Sequence, residues 1–253
     1  MAAAISRAAL GAQYSVRCEV RYRDGLWEYR WPDGVVVSEK PLIMRAHPDE
    51  FDHDPAVSPS MSWLWGYQPV AGDVVVDVGS LRGRSLHLLT RLVGPEGRVY
   101  AFEANPRSFQ VVKRLCAAND WQNVVPVHAA IASHTGTIEI SDGDAREAND
   151  VFRPGGVTVD CLTLDDYAEA HGLVRIDLTL MNIEGAEKLA IRGMERVAGL
   201  TRHMVISCHD FLGEPDKMTK SEVRDWLVQK GFLVREQPDP PNIPTGNCLY
   251  AFR

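Results

Sequence analysis

Four residues in the first half of the chain have the types and spacing to bind a nucleoside. Asp77 lies near the end of the apolar run Asp73–Val78, Gly79 and Gly83 follow it, and Glu103 ends a second run, Arg98–Phe102. Two carboxyl oxygens at a strand end can accept both hydroxyl hydrogens of a ribose, the task expected of Glu103. Gly79 and Gly83 allow close backbone approach to a ligand and tight helix packing. A dinucleotide turn, G-x-G-x-x-G, uses its middle glycine to admit a pyrophosphate. That glycine is missing here, and Asp77 stands at the strand end instead. A carboxylate is a poor neighbour for a pyrophosphate and a good one for a phosphate-free ligand with cationic groups. S-adenosylmethionine, with its ammonium and sulfonium, is the cofactor so expected.

The expected cofactor-binding set is Asp77, Gly79, Ser80, Gly83, Ser85, Glu103, Ala104, Ala130 and Asn182. Ala104 would lie near the adenine face, with Ala129-Ala130-Ile131 along the adenine edge. The plainer alternative makes Asp77 a helix cap and Glu103 a surface acid.

A second constellation lies at the ends of two later strands, Asn182-x-Glu184 and Cys208-His209-Asp210. With an ordinary pKa of about 6.5, His209 is expected as a general base. Otherwise it packs at the strand end against backbone. Glu184 is expected to orient an acceptor or ligate a metal, or else to cap the helix beginning at Gly185. Glu184, His209 and Asp210, with Asn182 nearby, offer the donors that suit Mg²⁺ or Mn²⁺. Glu187 is expected to face solvent or to make a helix pair. The acidic loop His47–Asp54 is either a second metal cluster or simply solvated.

These residues need a scaffold that brings strand ends together. From about residue 72 onward, strands and helices alternate: strand 73–78, helix 83–93, strand 98–103, helix 106–119 and strand 124–127. An antiparallel pair at 137–141 and 157–162 follows. Then come helix 164–171, strand 176–182, helix 185–197, strand 203–208, helix 219–230 and two final runs at 232–236 and 248–252. This pattern predicts a doubly wound α/β sheet, Rossmann-like, with an antiparallel last strand. Residues 238–244 form a proline-rich connector.

Residues 1–70 are expected to form a β-rich N-terminal extension, and residues 71–253 the cofactor-binding domain. A hairpin is predicted from Leu26–Trp31 through Pro32-Asp33-Gly34 to Val35–Val37. The aromatics Trp63-Leu64-Trp65-Gly66-Tyr67 suit a lid over an acceptor; alternatively they pack the extension on the sheet or build a homodimer contact. Arg82 and Arg84 could meet an anionic acceptor group or remain ordinary surface arginines.

A net charge of −7 argues against a nucleic-acid partner. No apolar run is long enough to span a bilayer, so no membrane is expected. Five scattered cysteines without a C-x-x-C pair read as reduced thiols, and the start carries no signal-peptide pattern. A cytoplasmic protein is expected.

Four segments in order resemble the motifs of FkbM-type S-adenosylmethionine-dependent methyltransferases. They are Asp77-Val78-Gly79, Tyr100–Pro106, Leu162–Asp166 and Ile183–Glu187, within about residues 72 to 210. The resemblance implies a class I methyltransferase fold and O-methylation of a sugar or polyketide hydroxyl. In two places the chain departs from the family pattern. Ser80-Leu81-Arg82-Gly83 replaces part of the usual Gly-Ala-Asn-x-Gly turn, and Met181-Asn182-Ile183-Glu184-Gly185 stands where the family has Lys-Ile-Asp-x-Glu-Gly.

The expected activity is therefore O-methylation of a hydroxyl on a saccharide or related secondary metabolite, with a small-molecule or oligosaccharide acceptor. Methylation of a nitrogen or carboxylate is the enzymatic rival. A catalytically silent cofactor-binding scaffold and an NAD-dependent dehydrogenase are rivals from other classes.

Overall fold

A computed structural model describes residues 18–42, 47–48, 63–141, 156–210, 213, 218–237 and 247–253. Its centre is a seven-stranded sheet in the order β12-β13-β11-β10-β4-β5-β6. Those strands are β4 (Val74–Val78), β5 (Arg98–Phe102), β6 (Val124–Val127), β10 (Ile176–Met181), β11 (Thr201–Ser207), β12 (Leu233–Arg235) and β13 (Cys248–Phe252). β10 is parallel to both β4 and β11, and β4, β5 and β6 continue in parallel. β13 is antiparallel to β11 and to β12, as the terminal pair of runs suggests. The chain winds outward from β4 to β6 and then returns to β10 on the other side of β4. The strand order therefore reverses between β4 and β10, where open α/β sheets form their ligand crevice.

Alternation along the strands gives the sheet two apolar faces. Val76 and Val78 of β4 pack with Met181, Met204 and Ile206 on one side. Val75 packs with Leu178, Leu180 and Val205 on the other, beneath α1 (Leu86–Val93). All six residues of β10 are buried, as expected of a central parallel strand covered on both sides.

Local signals set several helix starts. Asn105 opens α2 (Pro106–Ala118): its side chain accepts from the Arg107 and Ser108 N–H groups, with Pro106 in the first turn. Thr163 caps α3 (Leu164–Ala170) by accepting from Asp166 N–H at 2.9 Å. Three boundaries differ from expectation. α1 begins at Leu86 rather than residue 83, because Leu81–Ser85 is a turn. The single helix expected over 185–197 is two short ones, α4 (Glu187–Arg192) and α5 (Val197–Leu200). The inserted pair, β8 (Gly136–Ile140) and β9 (Val157–Leu162), gains a third strand, β7 (Ala130–Ile131). The last helix, α6 (Lys220–Gln229), precedes β12.

The N-terminal hairpin, β2 (Leu26–Trp31) and β3 (Gly34–Ser38), is joined by β1 (Glu19–Arg23). Val35 and Val37 pack on Val111 and Leu115 of α2. The Asn119 side chain accepts from Val35 N–H at 2.8 Å and donates to Val35 C=O at 2.9 Å, standing in for a neighbouring strand. Of the aromatics expected as a lid, Tyr67 stacks on His203 of β11, and Trp65 meets the Tyr250 ring of β13 edge-on. These two rings thus contact strands of the sheet. Of His47–Asp54, residues 49–54 lie outside the described residues, as do 238–244. All five cysteines are buried, and none of them forms a disulfide. Among the described residues, no helix is long and apolar enough to cross a membrane.

Candidate active site

The carboxyl ends of β4, β5 and β10 open on a cleft. Eight expected residues line it: Gly79, Glu103, Ala104, Ala129, Ala130, Ile131, Asn182 and Glu184. Gly79 has φ +85°, and an added Cβ would stand 2.1 Å from the Asn182 carbonyl oxygen. Its missing side chain therefore serves the approach of two strand ends.

Glu103 is 6 % exposed, and its carboxylate accepts from Asn105 N–H at 2.8 Å. Burial pushes its carboxyl up to about 7, although N–H groups of Asn105, Leu81 and Ala104 pull the other way. The Asp77 carboxylate raises it further. Apolar residues also line the cleft, with Ile131 from β7, Ile138 and Ile140 from β8, and Leu189 from α4. No lysine, arginine or histidine among the described residues lines the cleft, whereas two carboxylates do.

Four expected cofactor ligands are elsewhere. Asp77, Ser80, Gly83 and Ser85 do not line the cleft. Asp77 is buried and accepts from Ser85 Oγ at 2.8 Å, while Ser80 Oγ donates to the Asp77 carbonyl at 3.1 Å. Burial raises the Asp77 carboxyl above the usual range despite these hydroxyls. A Cβ at Gly83 would meet Leu115 of α2 at 2.7 Å, so that glycine serves helix packing. These residues build the turn from within. Arg82, read as meeting an acceptor or as a surface residue, instead pairs with Glu39 at 2.7 Å.

Sequence reasoning missed Leu81 as a cleft residue. It occupies left-handed backbone at φ +51°, between Gly79 and Gly83 at φ +85° and +69°. A leucine there carries strain of about 1–2 kcal/mol. Glu184 is also left-handed, at φ +56°. Two of the four non-glycine residues with positive φ among the described residues thus face this cleft, the kind of site where such strain concentrates.

The second constellation assembles differently from expectation. His209 is 2 % exposed and does not line the cleft. Its Nδ1 lies 2.8 Å from Glu187 Oε1 and its Nε2 lies 3.4 Å from Glu184 Oε2. The first is a hydrogen-bonding distance and the second that of an ion pair, so the ring stands between two carboxylates. Burial pulls the imidazole pKa down, but the bonds and charges of the two glutamates outweigh it and hold it at about 9. At neutral pH the ring is therefore a cation without a lone pair, and the expected base role of His209 does not fit.

Glu187, expected to face solvent or to make a helix pair, is fully buried. The metal set of Glu184, His209 and Asp210 is not assembled either. Asp210 Oδ1 accepts from Thr219 N–H at 2.7 Å and Lys220 N–H at 3.0 Å, capping α6, while the His209 nitrogens face carboxylates. Among the described residues, no group of three or more His, Cys, Asp or Glu is arranged to hold a metal ion.

The family model of the methyltransferase FkbM domain matches residues 77–234. The chain is 26 % identical over 157 residues to the 2-O-methyltransferase NoeI of Sinorhizobium fredii, covering 54 % of this chain and 63 % of that relative. Among solved structures, a methyltransferase FkbM from Methylobacillus flagellatus matches with a TM-score of 0.52 at 17 % identity, over 72 % of this chain and 44 % of its own. Aeropyrum pernix fibrillarin, solved with natively bound S-adenosyl-L-methionine, matches with a TM-score of 0.50 at 16 % identity, over 93 % and 99 %. These two likenesses bear on the fold, which is that of the class I methyltransferases. The chain thus spans less than two thirds of NoeI and of the Methylobacillus protein. With the reversal of strand order, the antiparallel β13 and the match over residues 77–234, the chain belongs to the FkbM methyltransferase family.

Proposed function

We propose that the protein is an S-adenosylmethionine-dependent O-methyltransferase acting on a hydroxyl of a saccharide or related secondary metabolite. The observation that carries this reading is the charge of the cleft: two carboxylates and, among the described residues, no cationic side chain on its wall. Such a wall repels the phosphates of a dinucleotide and suits a ligand bearing positive charge. The residues fit S-adenosylmethionine. Glu103 would take the ribose hydroxyls, Ala104, Ala130 and Ile131 the adenine, and the turn at Gly79 with Asn182 the amino-acid end. Bound there, the cofactor supplies a methyl group activated by its sulfonium.

The chain's own residues then handle the acceptor. Glu184 is the partly exposed carboxylate on the cleft wall and is assigned the acceptor's proton. An aliphatic hydroxyl holds its proton tightly until its oxygen is alkylated. The proton then becomes strongly acidic, so a carboxylate is base enough. Alignment of acceptor and donor supplies much of the acceleration. The 2-O-methyl specificity in the name of NoeI supports oxygen as the acceptor atom. The net charge of −7 favours a neutral acceptor over a nucleic acid.

A screen of saccharide and secondary-metabolite hydroxyls with isotope-labelled methyl donor tests the reading. Label is expected in an ether on the acceptor oxygen. Label only on nitrogen or carboxylate would overturn the O-methyl assignment.

A further inference from the structure

A chain of four side chains runs inward from the cleft. Glu184 stands at its outer end with 36 % of its side chain exposed, and His209 behind it is 2 % exposed. Glu187, on the first turn of α4, and Thr219, at the start of α6, are both 0 % exposed. Glu187 Oε1 meets His209 Nδ1 at 2.8 Å and accepts from Gly185 N–H at 3.2 Å. Its Oε2 accepts from Thr219 Oγ1 at 3.0 Å. The chain ties together the turn after β10, the end of β11 and the N-terminus of α6.

Stability alone does not explain it. Well-packed apolar residues often replace buried ion pairs at no loss of stability. A buried, hydrogen-bonded carboxylate on one side of an imidazole and a partly exposed one on the other does something more specific, because it fixes the direction in which the ring points. Glu184 receives that direction at a backbone position already confined to φ +56°.

We propose that Glu187 and Thr219 are positioning residues, which through the His209 ring hold the Glu184 carboxylate in its working orientation on the cleft wall. This rests on the reading of Glu184 as the group that takes the acceptor's proton. His209 relays orientation through its two contacts, Nδ1 with Glu187 at 2.8 Å and Nε2 with Glu184 at 3.4 Å.

The test uses the whole chain and has two readouts. Glu187→Gln keeps the shape and removes the charge. It is expected to lower kcat about tenfold to a hundredfold, the scale of a misplaced catalytic group. Affinity for S-adenosylhomocysteine should stay within about threefold, because Glu187 does not line the cleft. In parallel, the His209 ring ¹⁵N signals, read without any acceptor, should show two protonated nitrogens at pH 7.5 in the wild type and a neutral ring in Glu187→Gln. Thr219→Val should lower kcat less, with recovery in Thr219→Ser, and serves as the second variant should Glu187→Gln not fold. A neutral ring in the wild type, or wild-type kcat in Glu187→Gln or Thr219→Val, would overturn the proposal. Failure of the underlying reading appears separately, as wild-type turnover in Glu184→Gln.

Discussion

Gly79 and Asn182 meet through a missing side chain: a Cβ on the glycine would stand 2.1 Å from the Asn182 carbonyl oxygen. The contact joins the end of β4 to the turn after β10, at the switch point of the sheet. Asn182 N–H also donates to Val78 C=O at 2.9 Å, so the two segments are fixed in register where the cleft begins.

Gly79→Ala must therefore strain a left-handed backbone and move a carbonyl that cannot rotate away. The expected cost exceeds about 2 kcal/mol, since a left-handed non-glycine position alone costs about 1–3 kcal/mol. Affinity for S-adenosylhomocysteine should fall with it. Urea denaturation and calorimetry check both; a wild-type midpoint and affinity would show that the contact relaxes freely.

That prediction comes from a glycine whose sequence pattern suggested ligand approach, and the difference shows where sequence reading stops. The valines of β4, the capping Asn105-Pro106 and the paired runs at the C-terminus declare themselves through periodicity and local hydrogen bonding, and they are enough to place Glu103 and Glu184 at strand ends. β1 is easily passed over because its alternation, Glu19-Val20-Arg21-Tyr22-Arg23, is short and mostly charged, and only Val20 is buried in it. The His209–Glu187 contact is hidden because its partners lie 22 residues apart and meet only in the folded state. Glu187 read as a solvent-facing residue or a helix-pair partner one turn from Glu184, but the segment before it is a turn with left-handed residues at 184 and 185.

Cofactor binding should depend on pH through Glu103. Its carboxyl, pushed up to about 7 by burial, must ionise to accept two ribose hydroxyls. If only the ionised form binds, the dissociation constant of S-adenosylhomocysteine should be about tenfold weaker at pH 6 than at pH 8. Calorimetry in buffers of different ionisation enthalpy should show proton release near pH 6.5. Because the folded pKa is raised, the contribution of this group to stability is fully present below its unfolded pKa. It is lost as pH rises through about 7. Glu103→Gln should abolish both dependences, and a flat binding profile in the wild type would refute the assignment.

Glu184→Gln should separate binding from chemistry. Loss of a positioned base lowers turnover by about 10²- to 10⁴-fold, a larger effect than the loss of one of the cleft's two carboxylates should have on affinity for S-adenosylhomocysteine. Steady-state kinetics beside calorimetry measures the two. Wild-type kcat would remove Glu184 from the chemistry.

Asn119→Ala tests how the N-terminal sheet is held. It removes the two bonds to Val35 and one to Leu115 C=O. Leaving a buried backbone group unpaired costs about 1–3 kcal/mol. The expected result is a lower denaturation midpoint and faster proteolytic release of residues before 40. Unchanged proteolysis would mean that Val35, Val37, Val111 and Leu115 hold the sheet by packing alone.

The central claim is that the anionic cleft at the switch point holds a phosphate-free cationic nucleoside. Titration calorimetry of the wild-type chain with S-adenosylhomocysteine and with NAD, repeated on Glu103→Ala, tests it most directly. Hydrogen bonds to a charged group contribute about 1.5–3 kcal/mol. The account therefore predicts saturable binding of S-adenosylhomocysteine, weakened on the order of tenfold to a hundredfold in Glu103→Ala, and no heat with NAD. Binding of NAD, or no binding of S-adenosylhomocysteine to the wild type, would contradict it.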